Sequence, residues 1–274
     1  MTTTTTRGLT ASRTRTMLNK VPEVTLFFWV IKIMCTTVGE TAADYLNENL
    51  GFGLTNTTYV TGALLAALLA VQFRLRRYVP PVYWAVVVVI SVFGTLITDN
   101  MTDHYNVPLT TSTIGFSIVL AVVFAVWYAC ERTLSIHTIF TTRRETFYWL
   151  AILFTFALGT AAGDLMAEKL DLGYAVSIVI FGGAIALVAA AHYLLDMNAI
   201  LSFWLAYILT RPLGASIGDE MSQHSHKYGG LGLGTTGTSY IFLGCILALV
   251  TYLSVTRRDA SERQRRRAPA YEAA

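Results

Sequence analysis

The chain has 274 residues, of which 54% are hydrophobic and 14% charged, and its formal net charge at pH 7 is +3. Because charged residues make up about a quarter of a typical soluble domain, this composition excludes an ordinary water-soluble protein. Eight apolar stretches of about 17–23 residues follow one another, and each can cross a hydrocarbon core about 30 Å thick. The sequence therefore predicts an integral membrane protein without a separate soluble domain.

The predicted membrane spans follow in chain order. They lie near residues 24–46, 57–73, 82–103, 110–130, 147–169, 174–193, 199–221 and 234–255. Backbone polar groups in lipid must be bonded internally, and these runs lack the alternating polarity of barrel strands, so each span is predicted to be a helix. We expect an all-α membrane protein with one eight-helix transmembrane domain over residues 23–256. A disordered cytoplasmic tail is expected over 1–22, and a basic cytoplasmic tail over 257–274.

The basic residues predict the orientation of these helices. Of the 20 lysines and arginines, 16 precede span one or follow spans two, four and eight, which places them on one face of an eight-helix protein. The positive-inside rule then puts both termini in the cytoplasm. The C-terminal arginines are interpreted as a flank of the last span, so no nucleic-acid partner is expected.

A repeated pattern divides the chain into four units, near residues 23–78, 79–142, 143–197 and 198–256. In each unit a tryptophan is followed ten residues later by a glycine and fifteen residues later by an aspartate. The three sets are Trp29, Trp84, Trp149 and Trp204; Gly39, Gly94, Gly159 and Gly214; and Asp44, Asp99, Asp164 and Asp219. Corresponding units of the two halves are 120 residues apart, which indicates two rounds of duplication.

Each unit contains two spans, so all four units enter the membrane in the same direction. They are therefore predicted to be parallel repeats about an axis along the membrane normal. When the units close around that axis, the four helices that carry the pattern surround a common centre.

The four tandem two-helix units, each with its tryptophan, resemble a bacterial family of membrane-anchored proteins built from a repeat of unknown function. The resemblance covers residues from about 20 to 256. It implies the architecture and a multi-pass location in the bacterial inner membrane. It implies no activity, so the function has to be predicted from the residues.

Acidic residues collect inside the predicted helices and on the face opposite the basic residues. A carboxylate in hydrocarbon is costly and usually faces a bundle interior, where it marks an ion or proton path. The candidate ion-binding or proton-relay residues are Asp44, Asp99, Asp164, Asp219, Glu40, Glu48, Asp103, Glu168 and Glu220. Clustered carboxylates suit a hard divalent cation, and His104 and His224 are candidate nitrogen ligands. The alternative is that the acids only solvate helix ends.

Two basic residues lie where a charge is costly. Lys32 is near the middle of span one, and Arg211 lies in span seven beside Pro212. Buried cations need partners. The candidate partners are Glu40, Asp219 and Glu220. Each base is either half of a salt bridge that holds the fold or a gate whose charge alternates with a bound cation. The proline also predicts an interrupted helix.

The remaining repeated positions have structural interpretations. The four tryptophans are interpreted as anchors in the interfacial belt of the membrane. The four glycines lie five residues before the aspartates, on another side of the helix, and are expected to allow close helix packing.

The predicted function is transport of a divalent cation, by efflux or by exchange with protons, through the repeated carboxylates. The expected partners are the lipid bilayer and a metal ion or proton, and the metal is a substrate rather than a resident cofactor. The alternatives are a proton-coupled transporter of small solutes and a membrane scaffold that transports nothing. Recognisable nucleophile and metalloprotease motifs are absent from the sequence, so no enzyme activity is expected. A homo-oligomer is compatible with all three readings.

Overall fold

The computed structural model describes residues 19–224 and 230–259, without the side chains of Glu48 and Asn49. Its long helices are α1 Leu26–Asp44, α2 Gly53–Arg74, α3 Pro80–Asp99, α4 Leu109–Glu131, α5 Thr142–Asp164, α6 Tyr174–Leu194, α7 Ala199–Ser222 and α8 Gly234–Thr256. All eight are long and apolar enough to span a membrane, which confirms the predicted all-α fold. The predicted tails lie mostly outside the described residues.

Local sequence explains where several helices begin. The Thr25 hydroxyl accepts a hydrogen bond from the Phe28 amide at the start of α1, and Thr141 does the same for Arg144 at the start of α5. Such side chains satisfy amides that have no partner within the helix. Pro80 begins α3, where its missing N–H costs nothing. The helix starts are therefore encoded next to the apolar runs.

Three of the helices that carry the repeat pattern continue into a π-helical turn directly after the repeated aspartate. These turns are Tyr45–Asn49, Asn100–His104 and Leu165–Lys169. The fourth helix, α7, stays α-helical past Asp219 to Ser222. π-Helical turns are rare and occur often at functional sites. The irregular backbone therefore marks the level of the aspartates in three repeats.

The helices form an inner ring and an outer layer. The helices α1, α3, α5 and α7 pack in that order, and α7 packs back on α1. The outer helices α2, α4 and α6 pack on the inner helix of the following repeat, and α8 packs on α1. Of the most apolar stretch of each helix, 56–61% is buried in the inner helices and 17–28% in the outer ones. The predicted parallel arrangement around a common centre is confirmed.

The repeated glycines lie where neighbouring inner helices touch. A Cβ atom on each glycine would lie 2.6 to 2.7 Å from the Cβ of the residue seven positions after the tryptophan in the next repeat. The four pairs are Gly39 with Ser91, Gly94 with Phe156, Gly159 with Arg211, and Gly214 with Thr36. Because these distances are too short for a side chain, the close packing predicted for the glycines is confirmed.

The repeated tryptophans lie inside the bundle, and the interpretation as interfacial anchors is wrong. Trp84, Trp149 and Trp204 are at most 4% exposed, and Trp29 is half-buried. Each contacts the aromatic residue that precedes the tryptophan of the previous repeat, with ring centroids 5.5 to 6.3 Å apart. The four pairs are Phe28 with Trp84, Tyr83 with Trp149, Tyr148 with Trp204, and Phe203 with Trp29. These rings fill the centre of the bundle rather than face lipid.

The two ends of the bundle differ in charge. At the basic end, which carries both described chain ends and Arg74, Arg132 and Arg257, Lys20 and Glu145 form an ion pair at 2.6 Å. Both side chains are 1% exposed. The segment before α1 is thereby tied to the start of α5. The opposite end, with its acidic loops, is called the acidic end below.

Candidate cation site

The tryptophans and the aromatic residues that they contact are called the aromatic layer below. Between this layer and the acidic end, the centre of the inner ring is polar. The position eleven residues after each tryptophan holds Glu40, Thr95, Thr160 and Ala215 in repeats one to four. The first three bind the same guanidinium group, that of Arg211. Arg211 therefore lies on the pseudo-four-fold axis and is held by equivalent positions of the other three repeats.

The contacts of Arg211 compensate much of the cost of its burial. Its Nη2 atom lies within hydrogen-bond distance of three acceptors that share its two hydrogens, Glu40 Oε2 at 2.8 Å, Thr160 Oγ1 at 2.6 Å and Thr95 Oγ1. Its Nη1 atom donates to the Thr36 carbonyl at 3.4 Å. The side chain of Arg211 is fully buried, so removing Glu40 would leave an uncompensated charge. The predicted pairing of Arg211 with Glu40 is present.

Three carboxylates from different repeats converge beside Arg211. One oxygen each of Glu40, Asp164 and Asp219 lie within 4.8 Å of one another. Oxygens that bind one Ca²⁺ at about 2.3–2.6 Å lie up to about 5 Å apart, so the three fit the first shell of a single hard cation. Glu40 is 6% and Asp219 7% exposed, whereas Asp164 is half-buried. The cluster is thus partly open to solvent.

The other two repeated aspartates surround this cluster. Asp44 and Asp99 are half-buried, and Asp99 experiences the charges of Glu40, Asp44 and Asp164. Asp219 likewise experiences the charge of Asp44. The structure therefore brings all four repeated aspartates and Glu40 together. Clustered carboxylates repel one another unless protons or cations reduce their charge.

Lys32 lies nearer the aromatic layer and has a different environment from Arg211. Its Nζ atom donates to the Tyr207 carbonyl at 2.8 Å and to the Thr210 hydroxyl. The same atom lies 4.2 Å from the centre of the Tyr207 ring and 5.3 Å from that of Phe156. No ion pair among residues 19–224 and 230–259 includes Lys32. The carboxylate partner expected for Lys32 is not its neighbour.

Several candidate residues lie away from the central cluster. Asp103, His104, Glu168 and His224 are exposed at the acidic end, and Glu220 is half-buried. Glu168 accepts a hydrogen bond from the Tyr174 hydroxyl at 3.0 Å. The side chain of Glu48 lies outside the described residues. In the part of the chain that is described, the two histidines therefore do not belong to the central carboxylate cluster.

The helix around Pro212 is continuous, and the predicted interruption is wrong. Residues Ala199–Ser222 form one α-helix with Pro212 inside it. The proline ring packs over Gly159 and Gly163 of α5, where side chains are absent. The space that these glycines leave accommodates the proline ring against α5. The irregular backbone lies instead in the three π-helical turns.

Two signals in the sequence identify residues that the repeat pattern alone did not. An aromatic residue precedes all four repeated tryptophans, and these residues form the aromatic layer. Thr95 and Thr160 occupy the same repeat position as Glu40, which identifies them as neighbours of the same centre. Aligning the four repeats position by position therefore predicts contacts that spacing along a single helix does not.

A lateral cavity of about 500 Å³ lies between the two halves of the chain. Its walls come from α1 and the segment before α5, which belong to the first half, and from α6 and α7, which belong to the second half. Trp29, Phe203 and Thr210 are among the lining residues. Thr210 also binds Lys32, so the cavity reaches the polar centre from the side.

Comparison with known families finds a match over most of the chain. A family described as Repeat of Unknown Function (DUF347) matches residues 27–78, 82–133, 147–197 and 202–259. These four matches coincide with the four helix pairs of the structure. Neither a curated protein nor a solved structure matches the chain.

Proposed function

The chain belongs to the DUF347 repeat family of membrane-spanning proteins, and we propose that this member transports a divalent cation in exchange for protons. The observation that supports this proposal is the convergence of Glu40, Asp164 and Asp219 within 4.8 Å near the centre of the bundle. Rings of acidic side chains inside a bundle are typical of cation pathways. The site combines carboxylates from repeats one, three and four.

Charge balance gives the proposed exchange its physical basis. Five carboxylates, those of Glu40 and the four repeated aspartates, share the centre with one basic side chain, that of Arg211. A divalent cation neutralises part of the negative charge that remains. When the cation leaves, protons replace it, because neighbouring carboxylates in a low-dielectric site cannot all stay ionised.

Arg211 acts in this proposal as an attached competitor for the cation. In this structure the Arg211 guanidinium binds the Glu40 carboxylate at 2.8 Å. A cation that binds Glu40 releases Arg211 to the Thr95 and Thr160 hydroxyls, which already accept from it. The centre then keeps a counter-charge during the whole cycle, as expected for an arginine whose guanidinium does not deprotonate.

We propose that the protein lies in the bacterial inner membrane with the basic end in the cytoplasm. The basic loops at that end support this orientation. The partly open carboxylate cluster then faces the external side, and the aromatic layer closes the path to the cytoplasm. A C-terminal fluorescent protein that folds only in the cytoplasm tests the orientation, and a dark fusion would contradict it.

Metal binding is tested by the stability of the purified protein in detergent. We would measure thermal unfolding with Mg²⁺, Ca²⁺, Mn²⁺, Co²⁺, Ni²⁺ and Zn²⁺ for the parent and for an Asp164→Asn, Asp219→Asn variant. A cation that binds only the folded state stabilises it by about 2.7 kcal/mol at a hundredfold excess over its Kd. We expect one class of cation to stabilise the parent and not the variant.

The matched control is Asp196→Asn, which removes an exposed acid far from the cluster. Asp196 has a φ of 52°, a conformation that asparagine adopts readily. This variant should keep the metal response of the parent. An absence of any metal-induced shift in the parent contradicts the metal site, and a shift retained in the double variant places the site elsewhere.

The lateral cavity favours a second candidate, a proton-coupled transporter of a small organic solute. A volume of about 500 Å³ is large enough for more than an ion. Ala206 lines the cavity, so Ala206→Trp would fill it. Screening amino acids and organic amines for stabilisation tests this candidate. A stabilising compound whose effect is lost in Ala206→Trp supports it, whereas metal stabilisation that persists in this variant supports the cation site.

A further inference from the structure

Four tyrosine side chains follow the central axis on the side of Lys32 away from the carboxylates. They are Tyr207, Tyr148, Tyr83 and Tyr78, and all are at most 6% exposed. Beyond them, at the basic end, lies the carboxylate of Asp259. These hydroxyl groups are not needed by the cation site, and they cross the half of the bundle that is otherwise filled by aromatic rings.

Hydrogen bonds link two pairs of these groups. The Tyr83 and Tyr148 hydroxyl oxygens lie 2.5 Å apart, and either can be the donor. The Tyr78 hydroxyl donates to Asp259 Oδ2 at 2.5 Å. Burial and the Asp259 carboxylate together raise the pKa of Tyr78 above its ordinary value, so Tyr78 keeps its proton and remains a donor at neutral pH. The Tyr78 and Tyr83 ring centroids are 5.6 Å apart.

The end nearest the cation site is formed by Tyr207. Its hydroxyl oxygen is buried and has no hydrogen-bond partner among the described residues. The Tyr148 hydroxyl and the Cys35 thiol lie close enough to interact electrostatically with it. Lys32 lies over the Tyr207 ring and experiences the charge of Arg211. A buried hydroxyl without a hydrogen-bond partner is costly, so we expect a water molecule to connect the Tyr207 hydroxyl with Tyr148 and Lys32.

The equivalent repeat positions show that packing does not require the hydroxyl groups. Tyr83 and Tyr148 immediately precede the tryptophans of repeats two and three, and phenylalanines occupy this place in repeats one and four. Phe28 and Phe203 make the same contact with the next tryptophan as the tyrosines do. A phenyl ring therefore fills the layer, and the two hydroxyls that meet at the axis serve another purpose.

We propose that Tyr207, Tyr148, Tyr83 and Tyr78 form a proton path between Lys32 and Asp259. This inference rests on the proposed function, because it supplies the proton branch of the exchange. A phenol accepts a proton on its oxygen while it gives its own proton to the next acceptor, so each tyrosine ends unchanged. The Lys32 ammonium gives up one proton, the Asp259 carboxylate receives one, and Lys32 then takes up a proton that metal binding releases from the carboxylates. Water molecules bridge Lys32 to Tyr207, Tyr207 to Tyr148 and Tyr83 to Tyr78, because among the described residues only the Tyr83–Tyr148 and Tyr78–Asp259 steps have a direct hydrogen bond. Reversal of the steps carries a proton the other way.

The test compares the parent with a Tyr83→Phe, Tyr148→Phe variant in phospholipid vesicles that contain a pH-sensitive dye. A gradient of the cation that stabilises the parent drives the reaction. We expect the metal-driven pH change to fall at least about tenfold in the variant, because the central proton transfer is removed. The metal-induced thermal shift should remain, which also shows that the variant is folded. Tyr59→Phe, at an exposed position of α2, is the matched control.

The possible outcomes separate this inference from the proposed function. A variant that moves protons as fast as the parent overturns the path and leaves the cation site intact. A variant that still binds metal but moves no protons supports the path. A parent that is stabilised by no metal and moves no protons under any metal gradient overturns both proposals.

Discussion

The two halves of the central axis use the same repeat in different ways. Toward the basic end, every repeat contributes an aromatic residue and a tryptophan, and each pair makes the same contact with its neighbour. Toward the acidic end, the equivalent positions hold Glu40, Thr95, Thr160 and Ala215, and one arginine binds three of them. Positions that are uniform among the repeats hold the ring together. Positions that differ create the charged centre.

The largest expected effect comes from breaking the asymmetric centre. Arg211→Met leaves Glu40 buried without its ionic partner, and loss of one member of a buried pair costs about 3–5 kcal/mol. Chemical unfolding in detergent measures this change. Adding Glu40→Gln to the variant should recover part of the loss, because the unpaired charge is then removed. A single variant as stable as the parent contradicts the counter-charge role.

The buried ion pair at the basic end should have a smaller effect. Glu145→Gln removes the charge opposite Lys20 but keeps an acceptor for it and leaves the Lys20 bond to the Phe73 carbonyl at 3.0 Å. A lost charged hydrogen bond costs about 1.5–3 kcal/mol. The same unfolding assay measures the loss. Because this pair is remote from the carboxylates, the metal-induced thermal shift should be unchanged, and a lost shift would show that the two ends are coupled.

The close packing of inner helices at the repeated glycines is tested by adding one methyl group. Gly214→Ala places a Cβ 2.7 Å from Thr36 Cβ and 3.0 Å from the Ile33 carbonyl oxygen. Overpacking of this kind costs about 1–3 kcal/mol. The control is Gly182→Ala, where no atom lies within 4 Å of the added carbon. Equal unfolding midpoints for the two variants would contradict the close approach of α7 to α1.

The smallest effect on stability is expected at Lys32. Lys32→Met removes a buried charge that has no carboxylate partner among the described residues, and replacement of buried charged groups by apolar ones of similar volume is often neutral for stability. The proton-coupled reaction should nevertheless be lost, because Lys32 begins the proposed path. Thermal unfolding and proton movement in vesicles are measured on the same protein preparation. Strong destabilisation would show that Lys32 is a structural partner like Arg211.

Most of the fold could be predicted from the sequence. Eight apolar runs fixed the number of helices, and the tryptophan, glycine and aspartate spacing predicted a parallel ring. These features depend on hydrophobic length and on a repeat, which a single sequence displays directly. The role of the tryptophans was missed, because an aromatic residue near a helix start is typical of both an interfacial anchor and a core residue. Only the packing distinguishes the two.

The site was predicted in part. The four aspartates, Glu40 and Arg211 were identified because charged residues in apolar spans are rare. The environment of Lys32 was not predicted, since its partners are a carbonyl, a hydroxyl and two ring faces that belong to distant parts of the chain. The packing of the Pro212 ring against glycines of α5 was not predicted either, because local sequence does not show which helices touch.

Closure of α8 onto α1 gives the molecule a topological freedom that linear helix bundles lack. The backbone of Glu23 donates to the Asp259 carbonyl at 2.9 Å, so the two described chain ends lie side by side at the basic end. A short peptide can join them, and the chain can then be opened between any two repeats without changing an inner contact. The inner contacts therefore do not depend on which repeat comes first, and circular permutants that begin with any of the four repeats should assemble the same ring.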